Sequence, residues 1–288
     1  MKLIVILVAL VLEHFFGSVE RLRNLRWVQA YADGLHGAFG RMGIWGGVFG
    51  VLVTAGLPLV LLVAVLVQPE GLALPAMLAV HLLVLLYSLG PRDLNLQIDA
   101  YLGAVGRGDE AAADAVVRDL TGADTHTPAE ARTQAVMEAV LVAANERLFA
   151  VYFWYAVAGP VGALLFRLLA ELRQVSTART LEFTRAAVLL HALLNWIPSR
   201  LFALGFALAG SLTHTFDAWQ FRYTLDIEEN DNLIRLAGMG AMQFDHGGRV
   251  LPPAEERDWI EQVRSLVGRT FCVWLTVLAL LTLAGWSA

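Results

Sequence analysis

The sequence predicts an all-α, polytopic membrane protein of about five to six hydrophobic helices joined by helical polar loops. Three observations predict this fold class: hydrophobic residues make up 57% of the chain, charged residues only 16%, and mean hydropathy is +0.60. The hydrophobic core of a soluble domain does not require so many apolar side chains, so part of the apolar surface is expected to face a lipid bilayer. We expect a multi-pass protein of a bacterial inner membrane.

Two long apolar runs give the clearest predicted spans, because crossing the hydrocarbon core of a bilayer takes roughly 20 helical residues. Residues 44–67 and 72–89 contain no Asp, Glu, Lys or Arg. Residues 68–71 between them include a Pro and a Gly, which favour a turn over a continued helix. The two runs therefore predict a transmembrane helical hairpin.

The two ends of the sequence are also apolar. Residues 271–286 predict a further span, with Trp274 and Trp286 suited to the two membrane interfaces. Residues 1–16 resemble a signal peptide, but no small-residue cleavage site follows them. We therefore expect residues 1–16 to form a retained helix.

Two further apolar runs contain helix-breaking or polar residues. Residues 148–166 are broken at Gly159-Pro160, so this run predicts either a kinked span or a re-entrant segment. Residues 186–210 are long enough to span a bilayer. Their middle contains His191, Asn195, Pro198 and Arg200. We expect these residues to avoid lipid, because polar groups at membrane depth are costly.

The runs divide the sequence into five parts. They are an N-terminal helix with the hairpin (1–90), a polar helical loop (91–137), kinked membrane helices with a buried polar cluster (138–210), a polar loop (211–270) and a C-terminal transmembrane helix (271–288). We expect residues 92–137 to form surface helix and the acidic residues 217–269 to be exposed to water.

Charge and motif content exclude several classes of function. The net charge of −5 is spread along the chain and Lys2 is the only lysine, so we predict no nucleic-acid partner. The single cysteine, Cys272, matches neither a disulfide nor a metal-site spacing. Phosphate-binding loops, zinc-protease motifs and nucleophile elbows are absent from the sequence. We therefore assign no catalytic residue, metal or cofactor.

Polar residues at membrane depth are the candidate ligand-binding residues, because each requires a partner or water. The most specific group surrounds Pro198, because a proline inside a helix leaves backbone carbonyls without their usual donors. Asn195 and Arg200, on either side of Pro198, can both turn toward a shared anion or headgroup. The alternative is that neighbouring carboxylates or carbonyls satisfy Arg200. The residue pattern leaves both interpretations open.

A second candidate group comprises Glu138, Asn145 and Glu146. Glu138 and Asn145 are seven residues apart and therefore lie on one helix face. Glu146 lies at the edge of a predicted span, where a charged side chain extends to the membrane surface. We favour this interfacial role over catalysis.

Several of these segments resemble the AmpE-like inner-membrane proteins along the whole chain. The residues that carry the resemblance are Leu10-Val11-Leu12-Glu13, Ser88-Leu89-Gly90-Pro91-Arg92-Asp93, Asp99-Ala100-Tyr101-Leu102, Phe149 to Phe153 with Trp154, and Asn195 to Leu201. The resemblance implies a polytopic inner-membrane protein that modulates the signalling of inducible β-lactamase.

The sequence also resembles, more distantly, the CobD or CbiB synthases of cobalamin biosynthesis, which join an aminopropanol arm to a corrinoid acid. Gly122-Ala123-Asp124-Thr125 is similar to their Gly-Arg-Asp-Thr motif, which makes Asp124 and Thr125 candidate ligand-binding residues. Residues 195–200 are similar to their Asn-x-x-Pro-Ala-Arg motif. The chain departs from the family at Ala123, at His191-Ala192 in place of an acidic pair, and in an early segment missing after Gly17.

These observations leave two classes of function open. We favour a non-catalytic membrane regulator that responds to cell-wall status through a cell-wall-derived ligand. The alternative is a membrane enzyme or transporter for an amphipathic anionic molecule, related to the cobalamin synthases, and either form could be a homo-oligomer. A plain scaffold would leave Asn195 and Arg200 replaceable by apolar residues.

Overall fold

The described part of the chain is helical throughout its regular structure. A computed structural model describes residues 2–15, 25–43, 45–68, 73–90, 93–122, 128–174, 176, 178–219, 226–244 and 249–285. Helices are the only regular elements in these ranges, and four of them are long and apolar enough to cross a bilayer. The predicted all-α class and the predicted membrane protein are both confirmed.

The helices follow the chain in a simple order. The first half contains α1 (Lys2–Phe15), α2 (Arg26–Phe39), α3 (Val48–Leu66), α4 (Leu74–Ser88), α5 (Leu94–Arg107), α6 (Glu110–Thr121) and α7 (Ala129–Ala144). A π-helical turn (Asn145–Phe149) then leads into α8 (Ala150–Leu172), α9 (Leu181–Ala209), α10 (Leu212–Ala218), α11 (Asn230–Met242) and α12 (Pro253–Leu283).

The chain folds into two compact units. The first unit comprises Met1–Pro91, Ala150–Trp196 and Leu281–Ala288. The second unit comprises Arg92–Phe149 and Ile197–Leu280.

Helices α3 and α4 of the first unit are apolar. Helix α3 lies inside the charge-free run 44–67, and α4 is a shorter apolar helix of 15 residues inside the run 72–89. Both pack against α8. Val60 and Leu61 of α3 are 66% and 69% exposed, and such exposure of large apolar side chains is typical of a surface that faces lipid.

The break predicted at Gly159-Pro160 is present in α8. Gly159 has φ 66° and ψ −155°, a conformation open essentially to glycine alone. Pro160 cannot donate a backbone hydrogen bond, so carbonyl groups in the preceding turn lack their usual helical donors. The Nζ atom of Lys2 donates to two of them, Ala156 O at 3.1 Å and Val157 O at 3.2 Å.

The second unit partly buries segments that the sequence predicts to be exposed. Within residues 92–137, α5 buries one complete face, because its apolar residues recur at helical spacing against α6 and α7. The buried residues of α5 are Leu94, Gln97, Ile98, Tyr101, Leu102, Ala104 and Val105. The opposite face of α5 is exposed at Asn95, Leu96, Asp99 and Ala100, so the helix is amphipathic.

The segment predicted as a polar loop over 211–270 contains helices. It contains α10, α11 and the first part of α12, which begins at Pro253 rather than near residue 271. Helix α11 buries Leu233, Ile234 and Ala237 against the core. The acidic residues of the segment lower its average hydropathy, but they lie on one side of helices whose other side is apolar.

A buried polar network joins α5, α7 and α12. The Tyr101 hydroxyl donates to the Glu256 carboxylate, and Thr133 Oγ1 donates to the same oxygen at 3.1 Å. Arg132 Nη2 lies 3.9 Å from the other oxygen of Glu256, and Arg132 also pairs with Glu110. Glu256 is 3% exposed and Arg132 is 7% exposed, so the pair is held away from water.

Candidate functional site

The Arg200 guanidinium is the centre of the candidate site in the second unit. Its Nη1 atom donates to Ser199 Oγ at 2.9 Å and to the side-chain oxygen of Asn230, while Nη2 donates to Asp226 O at 2.7 Å. Ser199 Oγ in turn donates to Asn230 Oδ1 at 3.2 Å. We call Ser199, Arg200 and Asn230 the Arg200 cluster.

The Arg200 cluster is buried although it carries a full charge. Arg200 is 8% exposed and Asn230 is 4% exposed. The hydrogen-bond acceptors described above are neutral oxygens that orient the guanidinium, and the Asp226 carboxylate supplies a nearby negative charge. The planar guanidinium is therefore held in one orientation inside the second unit.

Local sequence explains how α9 and α11 build this cluster. Helix α9 continues through Pro198 to Ala209, which carries Ser199 and Arg200 on a single rigid element. Asn230 is the first residue of α11 and begins the buried face of that helix. The packing of α11 therefore fixes the amide that holds the guanidinium.

Asn195 is the second predicted residue of this segment, and it is buried in α9. Five residues separate it from Arg200, so ideal helix geometry leaves the two side chains about 140° apart around the axis. Their binding of one shared anion stays a prediction. His191, one turn earlier in α9, packs its ring 5.0 Å from that of Phe166 within the first unit.

The second candidate group lies around the π-helical turn. Glu138 is half-buried, accepts from Gln134 Nε2 at 2.7 Å and lies 4.0 Å from Arg235 Nε of α11. Asn145 is completely buried at the first residue of the turn, and Glu146 is half-buried beside it. Single π-helical turns are frequent at functional sites because they re-aim side chains.

Helix α11 connects the two candidate groups, since Asn230 binds Arg200 and Arg235 lies near Glu138. Asp124 and Thr125 lie outside the described residues. Within the described ranges, no group of three or more His, Cys, Asp or Glu residues is arranged to hold a metal ion.

Sequence reasoning missed Ser199 and Asn230. Asn230 lies among the acidic residues of a segment expected to be exposed. A signal for its burial is present in the spacing of residues 230, 233, 234, 237 and 241, which lie on one helix face and are all buried. Leu233, Ile234, Ala237 and Ala241 are apolar, and Asn230 is the polar exception on that face.

Comparison with known proteins identifies the family. The sequence model of the CobD/CbiB protein family matches residues 6–249. Cobalamin biosynthesis protein CobD of Stutzerimonas stutzeri (strain A1501) is 30% identical over 291 residues, which cover 94% of this chain and 94% of that protein. The protein of the same name from Chromobacterium violaceum is 31% identical over 197 residues, covering 65% of this chain and 63% of that protein. No solved structure matches the chain.

These matches correct the favoured functional interpretation. The assignment to the AmpE family is not supported, and the prediction of a β-lactamase regulator is wrong, because the family and both relatives are named for CobD and cobalamin biosynthesis. The more distant resemblance drawn from residues 122–125 and 195–200 indicated the correct family. With a family match over most of its length and a relative 30% identical across 94% of it, this chain belongs to the CobD/CbiB family.

Proposed function

We propose that this chain is an inner-membrane enzyme of cobalamin biosynthesis that binds an anionic, amphipathic corrinoid acid and joins an amine-bearing arm to it. Family membership supports the pathway, and the matched relatives are named cobalamin biosynthesis proteins. The observation that carries the binding role is the buried Arg200 cluster, in which Ser199, Asn230 and the Asp226 carbonyl fix the orientation of a guanidinium inside the second unit.

The proposed reaction forms an amide. A nucleoside triphosphate transfers its terminal phosphoryl group to a corrinoid carboxylate, and the nucleoside diphosphate leaves. The amine nitrogen then attacks the carbon of this acyl phosphate, the C–N bond forms as the C–O bond breaks, and phosphate leaves with that oxygen while the nitrogen gives its proton to water. Arg200 binds an anionic oxygen of the substrate or of the activating group, because a planar guanidinium matches both carboxylate and phosphate. Ser199 and Asn230 keep the guanidinium in that orientation.

A second candidate function is corrinoid binding without ligation. The departures from the family motifs favour it: Ala123 stands where the resemblance implies an arginine, and His191-Ala192 stands where it implies an acidic pair. An arginine would bind phosphate and acidic residues would bind Mg²⁺, so their replacement removes groups that ligation requires. Both functions place the corrinoid at the Arg200 cluster.

Growth of a cobalamin-dependent bacterial strain that lacks its own CobD tests the proposal. The strain receives wild type, Arg200→Gln, or the matched control Arg257→Gln, an exposed arginine of α12. Wild type and Arg257→Gln should restore growth on the corrinoid acid, and Arg200→Gln should not. All strains should grow on the corrinoid that already carries the arm, which shows that later steps are intact.

Binding distinguishes the two functions if growth is not restored. Purified full-length protein is titrated with the corrinoid acid, and the visible absorbance of the corrinoid is followed. If wild type binds the corrinoid acid but does not restore growth, and Arg200→Gln weakens the binding about tenfold or more, the protein binds the corrinoid without ligating it. Absence of both growth and binding contradicts the proposal.

A further inference from the structure

A polar cavity of about 360 Å³ lies within the second unit, away from the Arg200 cluster. Its lining comes from the end of α9, the end of α11 and one face of α12. The lining residues are Ala209, Gly210, Ser211, Ala241, Met242, Gln243, Gln262, Ser265 and Arg269. Along α9, the cavity begins nine residues after Arg200, about 14 Å away at the rise of an α-helix.

We propose that this cavity binds the phosphate group of an amphipathic molecule at the membrane surface, with Arg269 as the cation that recognises it. The proposal is independent of the corrinoid function. It rests on the charge of the lining, on the position of Arg269 along α12, and on the backbone of Gln243.

Among the described residues, the lining carries one charge, the positive charge of Arg269. Arg269 makes no ion pair or hydrogen bond within the described part of the chain, and no acidic residue lines the cavity. Gln262, Ser265 and Arg269 follow the spacing i, i+3, i+7, so they share one face of α12. That face presents amide, hydroxyl and guanidinium donors together, which suits a phosphate oxygen.

The cavity lies where α12 changes from polar to apolar. Arg269 is the last charged residue of the helix, and Thr270 to Leu283 contains none. Leu208 and Leu212, which are next to lining residues in the sequence, are large apolar side chains exposed on the same unit. A phosphate bound beside exposed apolar side chains is the arrangement that a phospholipid headgroup and its acyl chains require.

Gln243 has a backbone that favours glycine. Its φ is 55°, and it is the only residue other than glycine with positive φ among the described residues. It caps α11, where glycine would satisfy the same turn without strain. Gln243 also lines the cavity, and a glycine at this position would lack its side-chain amide.

The walls of the cavity are closely packed backbone. A side chain at Gly210 would lie 2.9 Å from the Ala241 carbonyl oxygen, and one at Gly240 would lie 2.6 Å from His214 O. Ser211 N also donates to Ala241 O at 3.1 Å. These contacts hold the junction of α9 and α10 against the end of α11, so the cavity is a preformed feature of the fold.

Lipid and phosphate binding by the purified full-length chain tests the proposal. Delipidated protein in a neutral detergent is titrated with phosphatidylglycerol, with phosphatidylcholine and, separately, with inorganic phosphate. Wild type should bind phosphatidylglycerol at least about tenfold more tightly than phosphatidylcholine, because only the first has a net negative charge. Arg269→Gln should weaken that binding by roughly tenfold to a hundredfold.

Two variants separate binding from folding. Gln243→Gly should weaken binding by about threefold to tenfold while the unfolding temperature stays equal to or above that of wild type. Arg257→Gln removes an exposed arginine from the same helix, roughly 18 Å from Arg269, and should leave binding unchanged.

The outcomes are distinct. Phosphatidylglycerol binding that depends on Arg269 supports the site and selects a lipid headgroup as its ligand. Inorganic phosphate binding that depends on Arg269, without lipid preference, supports the site and selects a soluble phosphate ester. Binding to neither ligand, or equal losses in Arg269→Gln and Arg257→Gln, overturns the proposal.

Discussion

Both units contain an ion pair with two buried side chains, but the paired residues are close in sequence in one unit and distant in the other. In the first unit, Arg167 pairs with Glu171, four residues later in the same helix. Apolar residues dominate α3 and α4 of this unit, and the polar cluster around Arg179 forms where α8 passes into α9. Arg179 Nε lies 3.0 Å from Oδ1 of the partly exposed Asp33. In the second unit, the buried Glu256 of α12 and Arg132 of α7 come from helices far apart in the sequence.

The difference shows where hydropathy is informative. A helix that faces lipid is apolar on every side, so the average hydropathy of its sequence identifies it. A helix of the second unit needs only one apolar face, and its buried polar residues are satisfied by residues distant in sequence. We therefore expect the second unit to depend on charge pairing between distant segments, and the break in α8 of the first unit to depend on its local backbone geometry.

Removal of Glu256 should have the largest effect. Glu256→Ala leaves the Arg132 charge and the Tyr101 hydroxyl without their buried acceptor, and we expect a loss of roughly 3–5 kcal/mol in unfolding free energy. Chemical unfolding of the detergent-solubilised protein, followed by helical circular dichroism, measures it.

The neighbouring residue provides a matched control for that loss. Glu255 pairs with Arg249 at 2.6 Å, and both side chains are partly exposed. Glu255→Ala should therefore cost less than about 1 kcal/mol. Equal losses in the two variants would show that burial of the charge is not what makes Glu256 important.

A glycine substitution tests the backbone of the first unit. Gly159→Ala should destabilise the protein by about 1–3 kcal/mol, because no L-residue adopts φ 66° and ψ −155° without strain. Steric contact does not contribute, since a side chain at Gly159 would meet no atom within 4 Å.

Gly56 of α3 is the control for this substitution. It lies in the same unit, and a side chain there would also meet no atom within 4 Å, but its backbone is ordinary helix. Gly56→Ala should leave stability unchanged or raise it by up to about 1 kcal/mol. Thermal unfolding of the two variants in the same detergent decides between backbone strain and a general intolerance of alanine.

Alkaline pH should weaken the second unit through Tyr101. Burial raises the pKa of the Tyr101 phenol above its ordinary value of 10.0, and the hydrogen bond to Glu256 raises it further. The unfolded phenol loses its proton near pH 10 while the folded one keeps it. The contribution of Tyr101 to the free energy of unfolding is therefore complete below pH 10, and it falls by about 1.4 kcal/mol for each pH unit above pH 10.

Comparison with Tyr101→Phe isolates this contribution. The variant loses the hydrogen bond to Glu256 and should be less stable at pH 7 by about 1–2 kcal/mol. The difference between the two proteins should then shrink as pH rises from 10 to 11. A constant difference over that range would contradict a raised pKa for Tyr101.

The same contrast explains what the sequence predicted. The charge-free run 44–67 predicted α3, and Gly159-Pro160 predicted the break in α8, because both depend on local residue properties. The burial of Glu256 was not predictable in this way. Its hydrogen-bond partner Tyr101 lies 155 residues away in the sequence.

The candidate site follows the same rule. Arg200 was identified because a charge inside an apolar run is visible in the sequence. Asn230 was not, because it lies among acidic residues and its partner Arg200 is 30 residues away. Only the fold brings α9 and α11 together at these two positions.

An exposed ion pair of the second unit should give the smallest effect. Arg264 of α12 pairs with Asp99 of α5, but Asp99 is 60% exposed. Asp99→Asn should lower the unfolding free energy by less than about 1 kcal/mol, and the loss should disappear in roughly 1 M salt because exposed charges are screened. The loss from Glu256→Ala should persist at that salt concentration, since screening is weak for buried charges. If both losses disappeared in high salt, the Glu256 interactions would be screened like those of an exposed ion pair, which would contradict the importance of buried charge pairing in the second unit.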